Sequence, residues 1–443
     1  MNKFNNQKRS LHPININKVD RESIRNYFLN SWNLTEYLFS SIKSSETYYL
    51  SPDLRRHPLI FYYGHVAAFY INKLKLSGLI NEGIDADLEN LFAVGVDPSI
   101  KDELEKKKWP ALDKVIVFRE KVFNIVLSLI ETRKIPLSIS SENSFWALLM
   151  SIEHERIHFE TSSLLIRQID VDEIIKPFEW EYLVDELFYK KQEFLKIEGA
   201  EINLGRLIES DMFGWDNEYG SRKVFVDSFM VSNLLITNGE FLDFVKDEGY
   251  NNPNYWSIQG WEWITEQKLT YPKFWVKTDN NYLLRAMFDV IDMPKNWPVE
   301  VIAHEAEAFC KWKGKGLRLL TESEWKLLTN TIFHSPSQDF PTINCNTNLN
   351  FLSPTPVGYL GGIPPFDLMG NVWEIIADKF SPLDGFSEHH FYKYFSSPYF
   401  DNQHGMMLGG SWASTGNSSS RYYRLWFRRD FVQHAGFRLA KDI

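Results

Sequence analysis

His154-Glu155-Arg156-Ile157-His158-Phe159-Glu160 sits inside a stretch, residues 145–168, whose apolar residues recur with a helical period. Residues four apart on a helix share one face, one turn above the other. His154 and His158 therefore aim two imidazoles in one direction, which is half of a metal site that needs no backbone distortion. Zinc, iron, copper and nickel all accept nitrogen ligands, so the spacing leaves the ion open. The letters also satisfy the His-Glu-x-x-His pattern of zinc metalloproteases. The bland alternative is a helix surface that carries two histidines by chance, and the chain has only 11 histidines. The spacing favours metal.

Working outward, the first 190 residues read as helices. Residues 21–42 place Ile24, Phe28, Leu29, Trp32, Leu38 and Phe39 at helical spacing. A second segment starts at His57-Pro58, runs through Ile60, Phe61, His65, Ala68, Phe69 and Leu74, and stops near Gly78. Residues 112–133 form a third, and the histidine stretch is the fourth, with a capping cluster at residues 140–144 before it. Four long helices joined by loops predict a bundle, an architecture that holds metals between facing helices. A catalytic mononuclear site needs three protein ligands and open positions. His65 is the best third ligand, a polar group mid-helix in an apolar segment, with Gly64 beside it allowing close approach of another element. Alone, such a histidine would read as a hydrogen-bonded core residue.

After about residue 195 the pattern changes to short alternating runs and turn signals such as Gly214-Trp215-Asp216-Asn217 and Gly249-Tyr250-Asn251-Asn252-Pro253. One helix, residues 301–312, stands out. The expected organisation is residues 1–190 as a helical bundle carrying the metal ligands and residues 191–443 as an irregular α+β domain. Two domains also suit the length of 443 residues. With 48 basic against 58 acidic residues and a net charge of −10, neither nucleic acid nor an anionic membrane is an expected partner. The opening Met1-Asn2-Lys3-Phe4-Asn5-Asn6-Gln7-Lys8 has no apolar core of a secretory signal, and no apolar run approaches the ~18 residues of a membrane span. Two cysteines, Cys310 and Cys345, make no disulfide framework. A soluble cytoplasmic protein is expected, with Cys310 in its core.

Glu155 would be the general base of a zinc protease. The metzincin continuation fails, since Thr161 and Leu164 stand where Gly and His are required, and Pro177 interrupts the helix before Glu179 or Glu181 could serve as third ligand. Glu160 reads instead as an acceptor orienting a ligand imidazole, or as a helix-surface carboxylate.

Three segments resemble the 5-histidylcysteine sulfoxide synthases of ovothiol biosynthesis, in the wider group of ergothioneine and ovothiol sulfoxide synthases. They are His57-Pro58-Leu59-Ile60-Phe61-Tyr62-Tyr63-Gly64-His65, Leu91-Phe92-Ala93-Val94-Gly95-Val96-Asp97 and Ile152-Glu153-His154-Glu155-Arg156-Ile157-His158. The second half resembles the formylglycine-generating-enzyme fold, itself related to C-type lectins, through Thr237-Asn238-Gly239-Glu240-Phe241, Thr321-Glu322-Ser323-Glu324-Trp325, Met369-Gly370-Asn371-Val372-Trp373-Glu374, Gly409-Gly410-Ser411-Trp412 and Gly436-Phe437-Arg438. The resemblance implies an α plus α+β chain, a DinB-like four-helix bundle followed by a formylglycine-generating-enzyme-like domain.

It further implies that His65, His154 and His158 bind non-haem Fe(II), with dioxygen as co-substrate. The products would be a C–S bond between L-cysteine and the imidazole of L-histidine and a sulfoxide at that sulfur. The alternative is an ergothioneine-type reaction of trimethylhistidine with cysteine or γ-glutamylcysteine, and a zinc hydrolase on His154-Glu155-x-x-His158 is a third reading. A tyrosine that tunes the outcome between sulfoxide formation and thiol dioxygenation falls at Tyr392, with Tyr394 behind it. An arginine clamp for substrate carboxylates falls at Arg424, Arg428 and Arg429, and Asp97 is a further substrate contact. Arg424 replaces an acidic residue of the ergothioneine relatives, which fits a changed thiol substrate. Ovothiol synthases commonly continue into a methyltransferase domain. Here a separate methyltransferase acting on the product would be the expected partner. Residues 411–438 contain no cysteine, so copper-dependent formylglycine chemistry is not expected.

Overall fold

In the computed structural model the described residues are 10–53, 55–93, 95, 108–279, 281–333, 335, 338–340 and 345–443. The helical half contains α1 (Arg21–Phe39), α2 (Leu59–Leu76), the short α3 (Ala86–Leu91), α4 (Leu112–Thr132) and α5 (Phe145–Arg167). Each start has a local cause. The Asp20 side chain accepts from the Ser23 amide and caps α1, and Pro58, held extended, precedes the first turn of α2. Gly78, with φ of +73°, turns the chain away just beyond α2.

Helices α2 and α5 pack side by side at the centre, with α1 against α5 and α4 against α2. Almost every residue of α5 is buried, including Glu153, Glu155, Arg156, Glu160 and Arg167. A surface helix of a bundle shows an apolar stripe and a wet face. Here the second half of the chain covers the face that would be wet, and polar partners wait for each charged group. Glu153 accepts from the Tyr27 hydroxyl and the Asn417 amide, and Arg167 pairs with Glu300 at 2.6 Å. Buried charges without such partners would cost several kcal/mol each.

The second half begins with β1 (Phe194–Ile197), β2 (Ala200–Leu204), β3 (Arg222–Val226) and β4 (Phe229–Ser232). Helices α6 (Asn238–Lys246) and α7 (Ile258–Gln267) follow, then β5 (Trp275–Lys277), β6 (Tyr282–Arg285), β7 (Val290–Asp292), α8 (Ala303–Lys313) and α9 (Glu322–Thr329). The chain closes through β8 (Trp373–Lys379), β9 (His404–Leu408), β10 (Leu425–Arg428), β11 (Ala435–Gly436) and β12 (Ala440–Asp442). Among the described residues four small sheets result, ordered β1-β4-β12, β10-β9-β8-β11, β2-β3 and β5-β6-β7, antiparallel except where β11 runs parallel to β8.

The sequence marks one helix in this half, and the described residues form four α-helices. Helices α6, α7 and α9 run only 9, 10 and 8 residues, too short for a period to declare itself. Their signal lay in the caps instead. Thr237 with Glu240 and Thr321 with Glu324 form reciprocal capping boxes, which is why those quoted motifs have the form Thr-x-x-Glu. No helix among the described residues is long and apolar enough to cross a membrane.

Candidate metal centre

His65 on α2 and His154 and His158 on α5 meet where the two central helices face each other. One ring nitrogen of each lies within 4.8 Å of the others, and the Nε2 atoms of His154 and His158 are 3.2 Å apart. All three side chains are buried. Burial pushes His65 down to about 4 and holds His154 and His158 well below the usual histidine range, so three neutral imidazoles present lone pairs to one point. That is the state a metal requires.

The surroundings fix the rings. His65 Nδ1 donates to the Phe92 carbonyl at 2.6 Å, which leaves Nε2 as the atom with a lone pair to offer a metal. Phe69, one turn after His65, stacks parallel on His154 at 3.6 Å between centroids and 7° between planes. Gly64 lets Phe92 come close to α2, because a Cβ there would run into the Phe92 ring. Gly64→Ala will therefore displace the residue whose carbonyl holds His65. The expected loss is about 1–3 kcal/mol of stability and roughly 10–100-fold in metal affinity, read by thermal melting and metal titration.

Beside the triad lies a cavity of about 390 Å³ lined from both halves. Tyr392 contributes its ring, 6.1 Å from His154 and 5.1 Å from Phe69. Lys73, two turns after His65, donates to the Phe391 carbonyl at 2.6 Å and lies 4.0 Å over the Tyr392 ring, so α2 anchors the tyrosine's loop. Burial pushes the Tyr392 phenol upward, keeping it protonated at neutral pH. Tyr394 lines the rim, 69% exposed with φ of +64°.

The arginine clamp is not assembled at this cavity. Arg424 is buried in an ion pair with Glu322 at 2.6 Å and donates to the Asn217 and Ser381 carbonyls. Its guanidinium is committed to neutralising a buried carboxylate. Arg429 pairs with Glu307, and Arg428 is exposed. Among the described residues the Lys and Arg side chains that do line the cavity are Arg56, Lys73 and Lys393, for which sequence spacing offered no signal. Asp97 lies outside the described residues.

Glu160 also departs from expectation. It does not orient an imidazole; it accepts from Trp373 Nε1 at 2.8 Å and from the Ser411 and Ser414 hydroxyls, tying α5 to the second half. Gly409 and Gly410, at φ of +92° and +77°, turn the chain so that Ser411 meets it. Glu155 accepts from the Tyr70 hydroxyl at 2.9 Å within the bundle and does not line the cavity. Cys310 is buried, its thiol pushed up to about 12.

Two facts now define the class of molecule, a three-histidine cluster between bundle helices and a second half of small sheets docked over them. The chain belongs to the sulfatase-modifying factor enzyme 1-like domain family, which matches residues 185–331 and 333–443. The histidines precede the matched residues. The chain is 34% identical over 245 residues to the hercynine oxygenase of Mycobacterium tuberculosis, covering 52% of this chain and 56% of that one. It is 23% identical over 430 residues to ergothioneine biosynthesis protein 1 of Schizosaccharomyces pombe, covering 87% and 52%. The chain thus spans a little over half the length of these curated relatives. Among solved structures it is similar to PvdO from Pseudomonas aeruginosa, at 16% identity and a TM-score of 0.37 over 56% of this chain and 94% of that one.

Proposed function

We propose that this chain is a non-haem Fe(II), dioxygen-dependent sulfoxide synthase that joins a small thiol to the imidazole of a histidine derivative. The convergence of His65, His154 and His158 beside a cavity large enough for small molecules carries the reading. The names of the relatives, an oxygenase of hercynine and an ergothioneine biosynthesis protein, support it. A thiol, an imidazole C–H and dioxygen balance to a C–S bond, one sulfoxide oxygen and one water, so no external reductant is needed. Iron(II), when bound, supplies dioxygen activation and lowers the thiol's pKa, chemistry suited to a site with three protein ligands and open positions.

The chain's own residues do the rest. The histidine cluster and Phe69 fix the place of reaction, and the cavity walls hold both substrates in contact. Lys73, Arg56 and Lys393 line the cavity, and their charge suits substrate carboxylates. Tyr392, protonated and anchored by Lys73, is the proton donor beside the histidines. Tyr392→Phe keeps the ring packing and removes the hydroxyl. It will leave iron uptake unchanged and cut sulfoxide formation by roughly 10²–10⁴-fold, with cysteine sulfinate rising among the products.

Between histidine and trimethylhistidine, the lining favours the methylated form. Tyr399, Tyr423 and Trp426 add aromatic surface to Phe69 and Tyr392, and no carboxylate lines the cavity among the described residues. Quaternary ammonium groups are recognised by aromatic faces, whereas a primary ammonium calls for acceptors. Substrates of the ergothioneine type, trimethylhistidine with cysteine or γ-glutamylcysteine, are therefore the first reading. Histidine with cysteine, as in ovothiol biosynthesis, is the second, carried by the quoted bundle segments. The Arg424 argument for a changed thiol substrate falls with its ion pair to Glu322. A zinc hydrolase needs a carboxylate base facing the metal, and Glu155 faces Tyr70.

The test is metal-stripped protein reloaded anaerobically with Fe(II), then given cysteine or γ-glutamylcysteine with either imidazole partner under air. Mass spectrometry should find a sulfoxide adduct, more with trimethylhistidine than with histidine. A larger yield with histidine would select the second reading, and no dioxygen consumption with any pair would refute both.

A further inference from the structure

Away from the histidines, three cations crowd one tyrosine. Lys326 Nζ lies 4.0 Å from the centroid of the Tyr422 ring, and the guanidinium carbons of Arg421 and Arg206 lie 4.9 and 5.2 Å from it. With Arg424 alongside, four cationic side chains are at least nine-tenths buried. Three buried carboxylates accompany them. Glu218 and Asp339 are held by Arg206, and Glu322 by Arg424. With Lys326 protonated the cluster has one more cation than carboxylate, and burial beside Arg421 pushes that lysine well below its ordinary range unless an anion joins it.

The surplus falls on Lys326 and Arg421. Lys326 is 6% exposed, and its Nζ has no hydrogen-bond partner among the described residues. Arg421 is also 6% exposed. It donates to the Tyr422 hydroxyl at 3.2 Å, and its Nε is likewise unpartnered. Both line a cavity of about 20 Å³, together with Arg424, the arginine-paired carboxylates Glu218 and Glu322, and the apolar Leu204, Trp325 and Leu408. A tyrosine face offsets only a part of one ammonium's desolvation. That volume suits one water-sized species.

We propose that this cavity binds a single small monovalent anion of halide size, held between the Lys326 ammonium and the Arg421 guanidinium. The anion restores charge balance and accepts the N–H donors that the protein leaves unmet. The site is separate from the histidine cavity, and the proposal stands whatever reaction occurs there.

Two measurements test it on the full chain. Crystals soaked in sodium bromide should give an anomalous bromine peak between Lys326 and Arg421, and its absence would overturn the proposal. Thermal unfolding is compared in sodium chloride and sodium gluconate at equal ionic strength. Chloride should raise the melting temperature by about 1–2 °C for each tenfold rise once the site fills. Lys326→Met, which keeps the apolar stem, should abolish that increment. Equal melting in both salts would mean that Lys326 is neutral or linked through water to Asp339. An increment that persists in Lys326→Met would place the chloride effect elsewhere and also refute the site.

Discussion

His158→Ala will lose dioxygen-dependent turnover and iron binding together, while the chain stays folded. The side chain lies in the innermost pair of helices, 3.2 Å from His154 between the Nε2 atoms. Removing an outer partner of a metal ligand costs roughly 10–100-fold in affinity, so removing a ligand should cost more. Alanine is a good helix former, and α5 is held by many other buried contacts, so the fold should survive. Circular dichroism confirms the fold, and metal analysis with oxygen-electrode assays reads the loss. Turnover persisting in His158→Ala would remove the histidine cluster from the mechanism.

Arg206→Met is expected to have the largest effect on stability. The Arg206 side chain is 0% exposed; it pairs with Glu218 at 2.8 Å and with Asp339, and donates to Asn417 and Ser420 at 3.0 Å. It links the segment after β2 to the loop before β10. Replacing such a buried ion pair whole can be neutral, but removing one partner strands the other charges, at a cost of about 3–5 kcal/mol. Chemical denaturation should show that loss. Adding Glu218→Gln to Arg206→Met should recover part of it, because one stranded charge disappears. A variant as stable as the parent would mean that Glu218 and Asp339 are protonated or hydrated once the arginine is gone.

The histidine cluster was readable because its determinants are local. The i, i+4 spacing of His154 and His158 needs only helical geometry, and His65 stood out as a polar residue in an apolar helix. What escaped the sequence depends on contacts between distant segments. The Phe92 carbonyl that fixes His65 lies 27 residues away, and Lys73 reaches Phe391 across 318. Glu160 illustrates the same limit. Its place on the helix was plain, but its partners Trp373, Ser411 and Ser414 come from the other half of the chain. The arginines near residue 424 resembled a substrate clamp because sequence cannot show that Glu322 already occupies one of them. In the second half, short helices were missed where period fails, although the capping boxes of α6 and α9 were visible.

The most direct test of the central claim is anaerobic titration of the metal-free chain with Fe(II), followed by metal analysis after desalting. The account predicts one iron retained per chain, and loss of that iron in each of the His65→Ala, His154→Ala and His158→Ala variants. Iron retention unchanged in those variants, or tightly held zinc that Fe(II) cannot replace, would contradict it.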